Sequence, residues 1–254
     1  MQIETVGNGA DVVLIHGWAM HAGVFAPLTQ RLATEFRLHL VDLPGHGYSR
    51  DDSDNLEPAC AAAALVSRLP RAIWVGWSLG GLVALHAALL PDAPLRALVM
   101  IAASPRFVTA SDWPHGVELD VFGQFDAGLR LDYRATIERF LALEALGSEH
   151  ARACLHELRM HVFERGEPAL AALAQGLRAL ETTDLRARLP ELNVPSLWLA
   201  GRRDRLVPAA AMRWAAQQSP QGRFVEFSTG HAPFIGHAAE VGDAIANFAR
   251  SVPA

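Results

Sequence analysis

The segment "IWVGWSLGGLVALHAALL" (residues 73–90) places a serine between glycines where an apolar strand is followed by a helical pattern. Within it, "GWSLG" (76–80) fits the pattern G-x-S-x-G, in the strand–turn–helix context that this pattern requires. A serine in so tight a turn has a strained backbone, and a glycine two residues away on either side removes a Cβ atom that would collide. The turn exposes the hydroxyl above the sheet, at a helix N-terminus that favours negative charge. We therefore predict that Ser78 is a nucleophile.

The strand before Ser78 is one of several apolar runs in the first hundred positions. The others are "VVLIHG" (12–17), "LHLVDLPG" (38–45) and "LRALVMIAAS" (95–104), with helical patterns rich in Ala and Leu between them. Near-continuous apolar strands that alternate with helices are typical of a parallel sheet covered on both faces. The pattern predicts an α/β fold with a mostly parallel central sheet.

The middle of the chain has a different pattern. From about Pro105 to Leu185 the strand-like runs disappear, and "YRATIERFLALEALG" and "SEHARACLHELRMHVFERG" have helical spacing. Strand patterns resume with "VPSLWLAGRRDRLVP" (194–208). We therefore predict a helical cap inserted at residues 108–185, which divides the core into residues 1–107 and 186–254.

Composition excludes several classes of partner. The chain has 254 residues, 51% of them hydrophobic, and 22 basic against 27 acidic side chains give a net charge of -5. This balance argues against binding to nucleic acid or to an anionic membrane, and no apolar run reaches the length of a membrane span. Two distant cysteines, with no Cys/His metal spacing, indicate a reducing compartment, and the N-terminus has no basic leader. We expect a cytoplasmic protein with neither metal nor cofactor.

A serine nucleophile needs a base, and an imidazole base needs a carboxylate partner. His231, in "FSTGHAPF", follows the last predicted strand, so it lies at the sheet edge where Ser78 emerges. Asp204, in "GRRDRLVP", follows the preceding strand at the same edge. Asp42 competes because it also ends a strand, but it precedes the nucleophile. The order Ser, Asp, His favours Asp204.

Acyl transfer also needs donors for the oxyanion. The N–H of Leu79, next to the nucleophile, supplies one in our interpretation. The N–H of Trp18, in the loop "IHGWAM" after the first long strand, supplies the other. His16 is interpreted as a residue that shapes this loop.

Five motifs, "HGW", "DLPGHGYS", "GWSLGG", "GRRDRLVP" and "GHAPF", resemble those of the α/β-hydrolase superfamily across nearly the whole chain. The resemblance implies a serine hydrolase of the α/β-hydrolase fold. Members that use Asp as nucleophile are excluded by Ser78. Ring-cleavage hydrolases and prolyl aminopeptidase-like members use Ser and remain alternatives.

Longer stretches, including "LHLVDLPGHGYSR", "AIWVGWSLGGLVA", "ERFLALEALGSE" and "GHAPFIGH", closely resemble the biotin-pathway pimeloyl-[acyl-carrier protein] methyl ester esterases. The resemblance implies a carboxylesterase that removes the methyl group from a pimeloyl thioester on acyl carrier protein, and we expect it to act as a monomer. It implies triad roles for Ser78, Asp204 and His231. It also implies contacts with the substrate, which involve Trp18, Ser78, Leu79, Phe140, Leu141, Ala142, Leu143, Glu144 and His231.

The family usually has an uncharged amide where Glu144 stands. Its basic cap residues hold the carrier protein, and Arg139 and Arg152 match them, while His156 replaces a common Arg. Arg152, His156 and Arg159 fall at i, i+4 and i+7, hence on one helical stripe that could meet an acidic carrier. A solvated helix face is the alternative for this stripe.

Two other functions remain open at this point. One is a broad-specificity serine esterase or ring-cleavage hydrolase that acts on free small molecules. The other is a ligand-binding protein of the hydrolase fold. A preference for a protein-borne ester over a free ester, with activity lost on Ser78→Ala, would distinguish the carrier-dependent esterase from both of these alternatives.

Overall fold

The computed structural model describes residues 1–52, 54–148 and 151–253. The described strands are β1 (Gln2–Val6), β2 (Ala10–Ile15), β3 (Phe36–Asp42), β4 (Ala72–Trp77), β5 (Leu95–Ile101), β6 (Ser196–Gly201) and β7 (Gly222–Phe227). The α-helices are α1 (Ala26–Leu32), α2 (Pro58–Val66), α3 (Leu79–Ala88), α4 (Leu119–Leu131), α5 (Tyr133–Ala145), α6 (Ala151–Val162), α7 (Leu170–Thr182), α8 (Ala209–Gln218) and α9 (Ala238–Ser251).

The strands form one sheet in the order β1-β3-β2-β4-β5-β6-β7. Within this sheet, the described strand pairs are parallel except for the edge pair β1 and β3, which is antiparallel. Every residue of the inner strands β4 and β6 is buried, whereas both edge strands, β1 and β7, are partly exposed. Inner strands covered on both faces are nearly continuously apolar, as these are, and the predicted α/β fold with a mostly parallel sheet is confirmed.

The strand order also fixes where the helices lie. From β2 the chain crosses through α1 to β3 on one side, and from β4 it crosses through α3 to β5 on the other side. Because such crossovers are right-handed, opposite directions of crossing put α1 and α3 on opposite faces of the sheet. α9 packs against α1, and α2 packs against α3.

Four helices, α4 to α7, lie between β5 and β6 in the chain, and we call them the cap helices. α4 packs against α5 and α7, α5 packs against α6, and α7 reaches α3 of the core. In this interval the described extended pairings are two isolated bridges, Val108–Val117 and Ala110–Trp113. The described cap helices thus extend from Leu119 to Thr182. The division into a core of residues 1–107 and 186–254 and a cap of residues 108–185 stays a prediction. The predicted helical run over residues 148–166 includes Glu149 and His150, which lie outside the described residues.

The direction of crossing changes beside β2, which lies between β3 and β4. The loops that follow β2 and β4 therefore open a crevice at the carboxyl edge of the sheet, where ligands bind in open α/β sheets. Trp18 lies in the first loop and Ser78 in the second. Within the ranges described, every helix is too short or too polar to cross a bilayer.

Candidate active site

Ser78 occupies the sharp turn between β4 and α3. Its backbone has φ 53° and ψ −118°, a strained conformation for a residue with a side chain. The flanking glycines are required by close backbone approach: a Cβ on Gly76 would lie 2.3 Å from the carbonyl oxygen of Gly80. A Cβ on Gly80 would lie 2.2 Å from the carbonyl oxygen of Ile15 in β2. The turn thus keeps its shape only with glycine at both positions.

The three residues expected to form the triad meet at the carboxyl edge of the sheet. Ser78 Oγ lies 2.9 Å from His231 Nε2, and His231 Nδ1 lies 2.8 Å from Asp204 Oδ2. The other carboxylate oxygen, Asp204 Oδ1, accepts the backbone N–H groups of Leu206 at 2.8 Å and Val207 at 3.0 Å. These bonds fix the carboxylate, which orients the imidazole so that Nε2 can take the serine proton.

Asp42, the competing carboxylate, has a different set of partners. It accepts the backbone N–H groups of Ala22 at 2.7 Å and Tyr48 at 2.8 Å, and it pairs with Arg165 at 3.3 Å. Burial opposes its ionisation, but the nearby His16 and these donors lower the pKa of Asp42 overall. Asp42 thus holds the loops after β2 and β3 together.

His16 is a buried neutral residue in the loop after β2. Its Nδ1 donates to the carbonyl of Gly17 at 2.8 Å, and its Nε2 accepts the N–H of Leu43 at 3.0 Å. Burial, and after it the neighbouring His46, lowers the pKa of His16 to about 3. The imidazole therefore bridges two loops as a neutral group, in the shaping role expected of it.

The two expected oxyanion donors are the backbone N–H groups of Leu79 and Trp18. The N–H of Leu79 is the first of α3, so it has no acceptor within the helix. Neither it nor the N–H of Trp18 donates to a described residue. The Trp18 indole Nε1–H donates to the carbonyl of Leu173 in α7 at 2.8 Å, and its ring packs edge-on against Phe140 in α5 at 4.6 Å. Trp18 thereby joins the candidate oxyanion loop to the cap helices.

The five residues expected to line the acyl channel lie at the end of α5. Phe140, Leu141 and Glu144 are buried, and Ala142 and Leu143 are half-buried. Phe140 contacts Trp18, so this face of α5 lies over the loop that approaches the nucleophile.

Glu144 is the unexpected member of this group, because it carries a buried carboxyl. Among the described residues neither of its oxygens has a hydrogen-bond partner. Burial raises the pKa of Glu144 well above its usual value, and the charge of Asp204 raises it further. Burial without a partner and the neighbouring Asp204 charge therefore both favour the protonated form of this carboxyl.

The expected carrier-docking side chains lie on the outer surface of the cap helices, and all four are exposed: Arg139 on α5, and Arg152, His156 and Arg159 on α6. Arg139 lies over the Phe125 ring at 5.8 Å, and Arg159 is paired with Glu138 at 2.6 Å. The stripe is thus partly engaged with the cap itself.

Trp77 is a site residue whose role the sequence did not reveal. Its indole Nε1–H donates to the carbonyl of His231 at 2.9 Å, and its ring packs edge-on against Phe234 at 5.1 Å. Its place in the nucleophile motif is visible in the sequence, but its partner lies 154 residues away. Only the folded arrangement shows that Trp77 supports the loop of His231.

Access to the nucleophile is restricted in this conformation. Ser78 is 2% exposed and His231 is 0% exposed. A groove with a volume of about 380 Å³ lies between α6 and the segment after His231. Its lining includes Val24, Pro27, Ala153, Cys154, Ile235 and Gly236. Among the described residues, no three His, Cys, Asp or Glu side chains are grouped so that they could hold a metal ion.

Comparison with known proteins follows this geometry. A model of the alpha/beta hydrolase family matches residues 12–244. A curated pimeloyl-[acyl-carrier protein] methyl ester esterase from Xanthomonas oryzae pv. oryzae is 56% identical over 255 residues, which cover the whole of both chains. A protein of the same name from Stenotrophomonas maltophilia is 56% identical over 250 residues, which cover 98% of this chain and 96% of that protein. An esterase from Exiguobacterium antarcticum has a similar structure, with a TM-score of 0.86 at 21% identity over 98% of this chain and 94% of that chain.

Proposed function

Because this chain belongs to the alpha/beta hydrolase family, and within it to the pimeloyl-[acyl-carrier protein] methyl ester esterases, we propose that it hydrolyses the methyl ester of a carrier-borne pimeloyl chain. The products are methanol and the free ω-carboxylate, still attached to the acyl carrier protein as its thioester. This cleavage would supply the pimeloyl chain for biotin synthesis. The observation that carries the proposal is the connected series Ser78, His231 and Asp204, in a chain that matches these esterases over its full length.

The first half of the reaction forms an acyl-enzyme. His231 Nε2 takes the proton of Ser78 Oγ, 2.9 Å away, as the oxygen attacks the ester carbonyl carbon. Negative charge develops on the carbonyl oxygen, where the N–H groups of Trp18 and Leu79 receive it. The C–O bond to methanol then breaks, and His231 returns the proton to the leaving methoxide oxygen.

The second half restores the enzyme. Water enters where methanol left, His231 takes one of its protons, and the hydroxide attacks the acyl carbon. The bond to Ser78 Oγ breaks, and the serine oxygen recovers a proton from His231. Asp204, held by two backbone N–H groups, stabilises the imidazolium in both halves.

Apolar cap residues supply the binding energy for the methylene chain in this proposal. Phe140, which packs against Trp18, and its neighbour Leu141 are both fully buried. Each buried methylene of the substrate contributes about 0.8 kcal/mol. The alternative is that these side chains only pack within the cap. Shortening the acyl chain of the substrate distinguishes substrate binding from packing.

We propose that the groove beside α6 is the route by which the carrier's acyl arm reaches Ser78. The groove borders the segment after His231, and Cys154 forms part of its wall. Burial raises the pKa of the Cys154 thiol, and the nearby Glu144 carboxyl raises it further, so this wall lies close to Glu144. Ala153→Trp should obstruct it and raise the KM for the carrier-borne ester. Ala171→Trp, on the exposed face of α7, is the matched control.

The acyl carrier protein would dock on the outer face of α5 and α6, where Arg139, Arg152, His156 and Arg159 are exposed. Opposite charge attracts an acidic carrier and positions its arm over the groove. We further propose that the protein acts as a monomer, since a single chain contains every group that the mechanism uses. The two distant cysteines indicate a reducing compartment, and we propose the cytoplasm as its location.

The decisive experiment measures methanol release from methyl pimeloyl-acyl carrier protein and from a short free methyl ester, with Ser78→Ala as control. Strong turnover of the carrier-borne ester, abolished in the variant, is the expected result. Turnover of the short ester alone would leave a general serine esterase. Binding without turnover of either ester would favour the ligand-binding alternative.

A further inference from the structure

The cap makes direct backbone contact with the two loops that carry Asp204 and His231. The contact segment is residues 144–148, at the end of α5. A Cβ on Gly147, whose φ is +83°, would lie 2.2 Å from the carbonyl oxygen of Arg203, and a Cβ on Gly230 would lie 2.6 Å from the carbonyl oxygen of Leu146. The backbones pack so closely that neither glycine has room for a Cβ, so a shift of the segment would press on both loops.

Glu144 forms the inner end of this contact. The carbonyl oxygen of Glu144 accepts the backbone N–H of His231, the expected base, at 3.4 Å. The side chain of Glu144 lies close enough to Asp204 to be affected by the charge of that carboxylate. The Glu144 side chain is 0% exposed, and neither carboxyl oxygen has a partner among the described residues. A charge placed there would be unsolvated and unpaired, which is strongly unfavourable.

Among the described residues, the Asp204 carboxylate and the Cys154 thiol lie within electrostatic reach of the Glu144 side chain, and His231 meets Glu144 through its backbone N–H. Asp204 lies in the loop after β6, His231 lies in the loop after β7, and Cys154 lies on α6. Asp204 disfavours a second negative charge beside it. Burial raises the pKa of Cys154 to about 11, so its thiol is neutral and offers Glu144 no cation.

We propose that Glu144 is a positioning residue: as an uncharged carboxylic acid it lets the end of α5 seat against the loops of Asp204 and His231, and its loss of a proton in alkaline solution displaces that contact and stops turnover. The inference rests on the proposed function, because it concerns the same ester hydrolysis. It predicts that a cap residue, and not Ser78, His231 or Asp204, sets the upper pH limit of activity.

The test follows methanol release from a short free methyl ester between about pH 6 and pH 10, because pH profiles of kcat/KM report the ionisations of the free enzyme. The variants are Glu144→Gln, which is neutral and similar in shape, and the control Glu181→Gln, which removes an exposed cap carboxylate. The wild type and the control should lose activity at the alkaline end. Glu144→Gln should exceed the wild type there by at least about fivefold, with an unchanged acid limb.

Three results would overturn the proposal. One is an alkaline limb shared by Glu144→Gln and the wild type, and another is a wild-type rate that does not fall in alkaline solution. The third is an acid limb that moves to lower pH in Glu144→Gln. Such a shift would mean that the substitution removes a negative charge near His231, whereas an uncharged Glu144 has no charge to lose.

A thermal measurement separates charge from simple packing. The melting temperature of Glu144→Gln should rise relative to the wild type as pH increases, because only the wild type buries a group that would otherwise ionise. A packing defect would shift the melting temperature equally at every pH, which contradicts the proposal. Since the kinetic test uses a free ester, absent turnover of the carrier-borne ester counts against the proposed function alone, whereas a shared alkaline limb counts against Glu144 alone.

Discussion

Trp77 and His231 are joined by a hydrogen bond of 2.9 Å from the indole Nε1–H to the backbone carbonyl. The residue before the nucleophile therefore holds the loop that carries the base. This bond links the end of β4 to the loop after β7, so the distance between Ser78 Oγ and His231 Nε2 depends on a buried indole as well as on the two loops.

Removing this bond should weaken catalysis without removing any reacting group. Trp77→Phe leaves the carbonyl of His231 buried without its donor, which costs about 1–3 kcal/mol and loosens the loop. We expect a lower kcat for a short ester, together with a lower melting temperature.

Trp74 provides a matched control for this variant. It is buried in the same strand, and its Nε1 has no partner among the described residues. Trp74→Phe removes a similar ring volume and no hydrogen bond, so kcat should remain close to the wild-type value. Equal losses of kcat in the two variants would contradict a specific role for the Trp77 bond.

The choice between Asp204 and Asp42 is testable by the same isosteric change at both positions. Asp204→Asn disrupts the tautomer and charge that His231 needs, so kcat should fall by about 10³- to 10⁴-fold. Asp42→Asn weakens the pair with Arg165 and should lower the melting temperature, with kcat reduced by less than about tenfold. The comparison measures kcat and thermal stability of both variants, and a larger loss of kcat at Asp42 would reverse the assignment.

Much of this arrangement was predictable from the sequence, because local patterns carry it. Apolar runs predicted the buried strands, and the turn at Ser78 is defined by glycines two residues away on either side. The order of Ser78, Asp204 and His231 along the chain, with strand ends before the last two, was enough to predict that they meet. The resemblance added the cap residues.

The parts that escaped prediction depend on contacts between distant segments. The indole of Trp77 reaches a carbonyl 154 residues away, and no local pattern indicates such a partner. The raised pKa of Glu144 likewise arises from burial and from the nearby charge of Asp204. A helical pattern could not reveal it, since a glutamate near the end of an amphipathic helix is most often solvated.

Asp184 is expected to stabilise the base of the cap in a pH-dependent way. It pairs with Arg186 at 2.8 Å and with Arg106 at 2.7 Å, on the two chain segments that enter and leave the cap. Burial opposes ionisation of Asp184, but hydrogen bonds from both guanidinium groups lower its pKa from 3.8 to about 2. A lowered pKa contributes stability above about pH 4, and this is lost as pH falls through about 2.

Asp184→Asn should therefore reduce the free energy of unfolding by about 1 kcal/mol at neutral pH, after allowance for solvent screening of an exposed pair. The difference from the wild type should shrink as the pH is lowered towards 2. Denaturant unfolding at neutral and acidic pH measures it. A difference that stays constant across this range would mean that the ion pairs are not its source.

The outer face of α5 and α6 should distinguish a carrier-borne substrate from a free one. Reversing Arg139 and Arg152 to Glu places negative charge where an acidic carrier protein would approach, so KM for methyl pimeloyl-acyl carrier protein should rise by about tenfold or more at low salt. The short ester meets no such surface, and its kinetics should be unchanged. Arg178→Glu, on the exposed face of α7, controls for the change in net charge, and added salt should reduce the difference. If both substrates are affected equally, or the control variant behaves in the same way, the stripe on α5 and α6 is a solvated helix face and the carrier protein docks elsewhere.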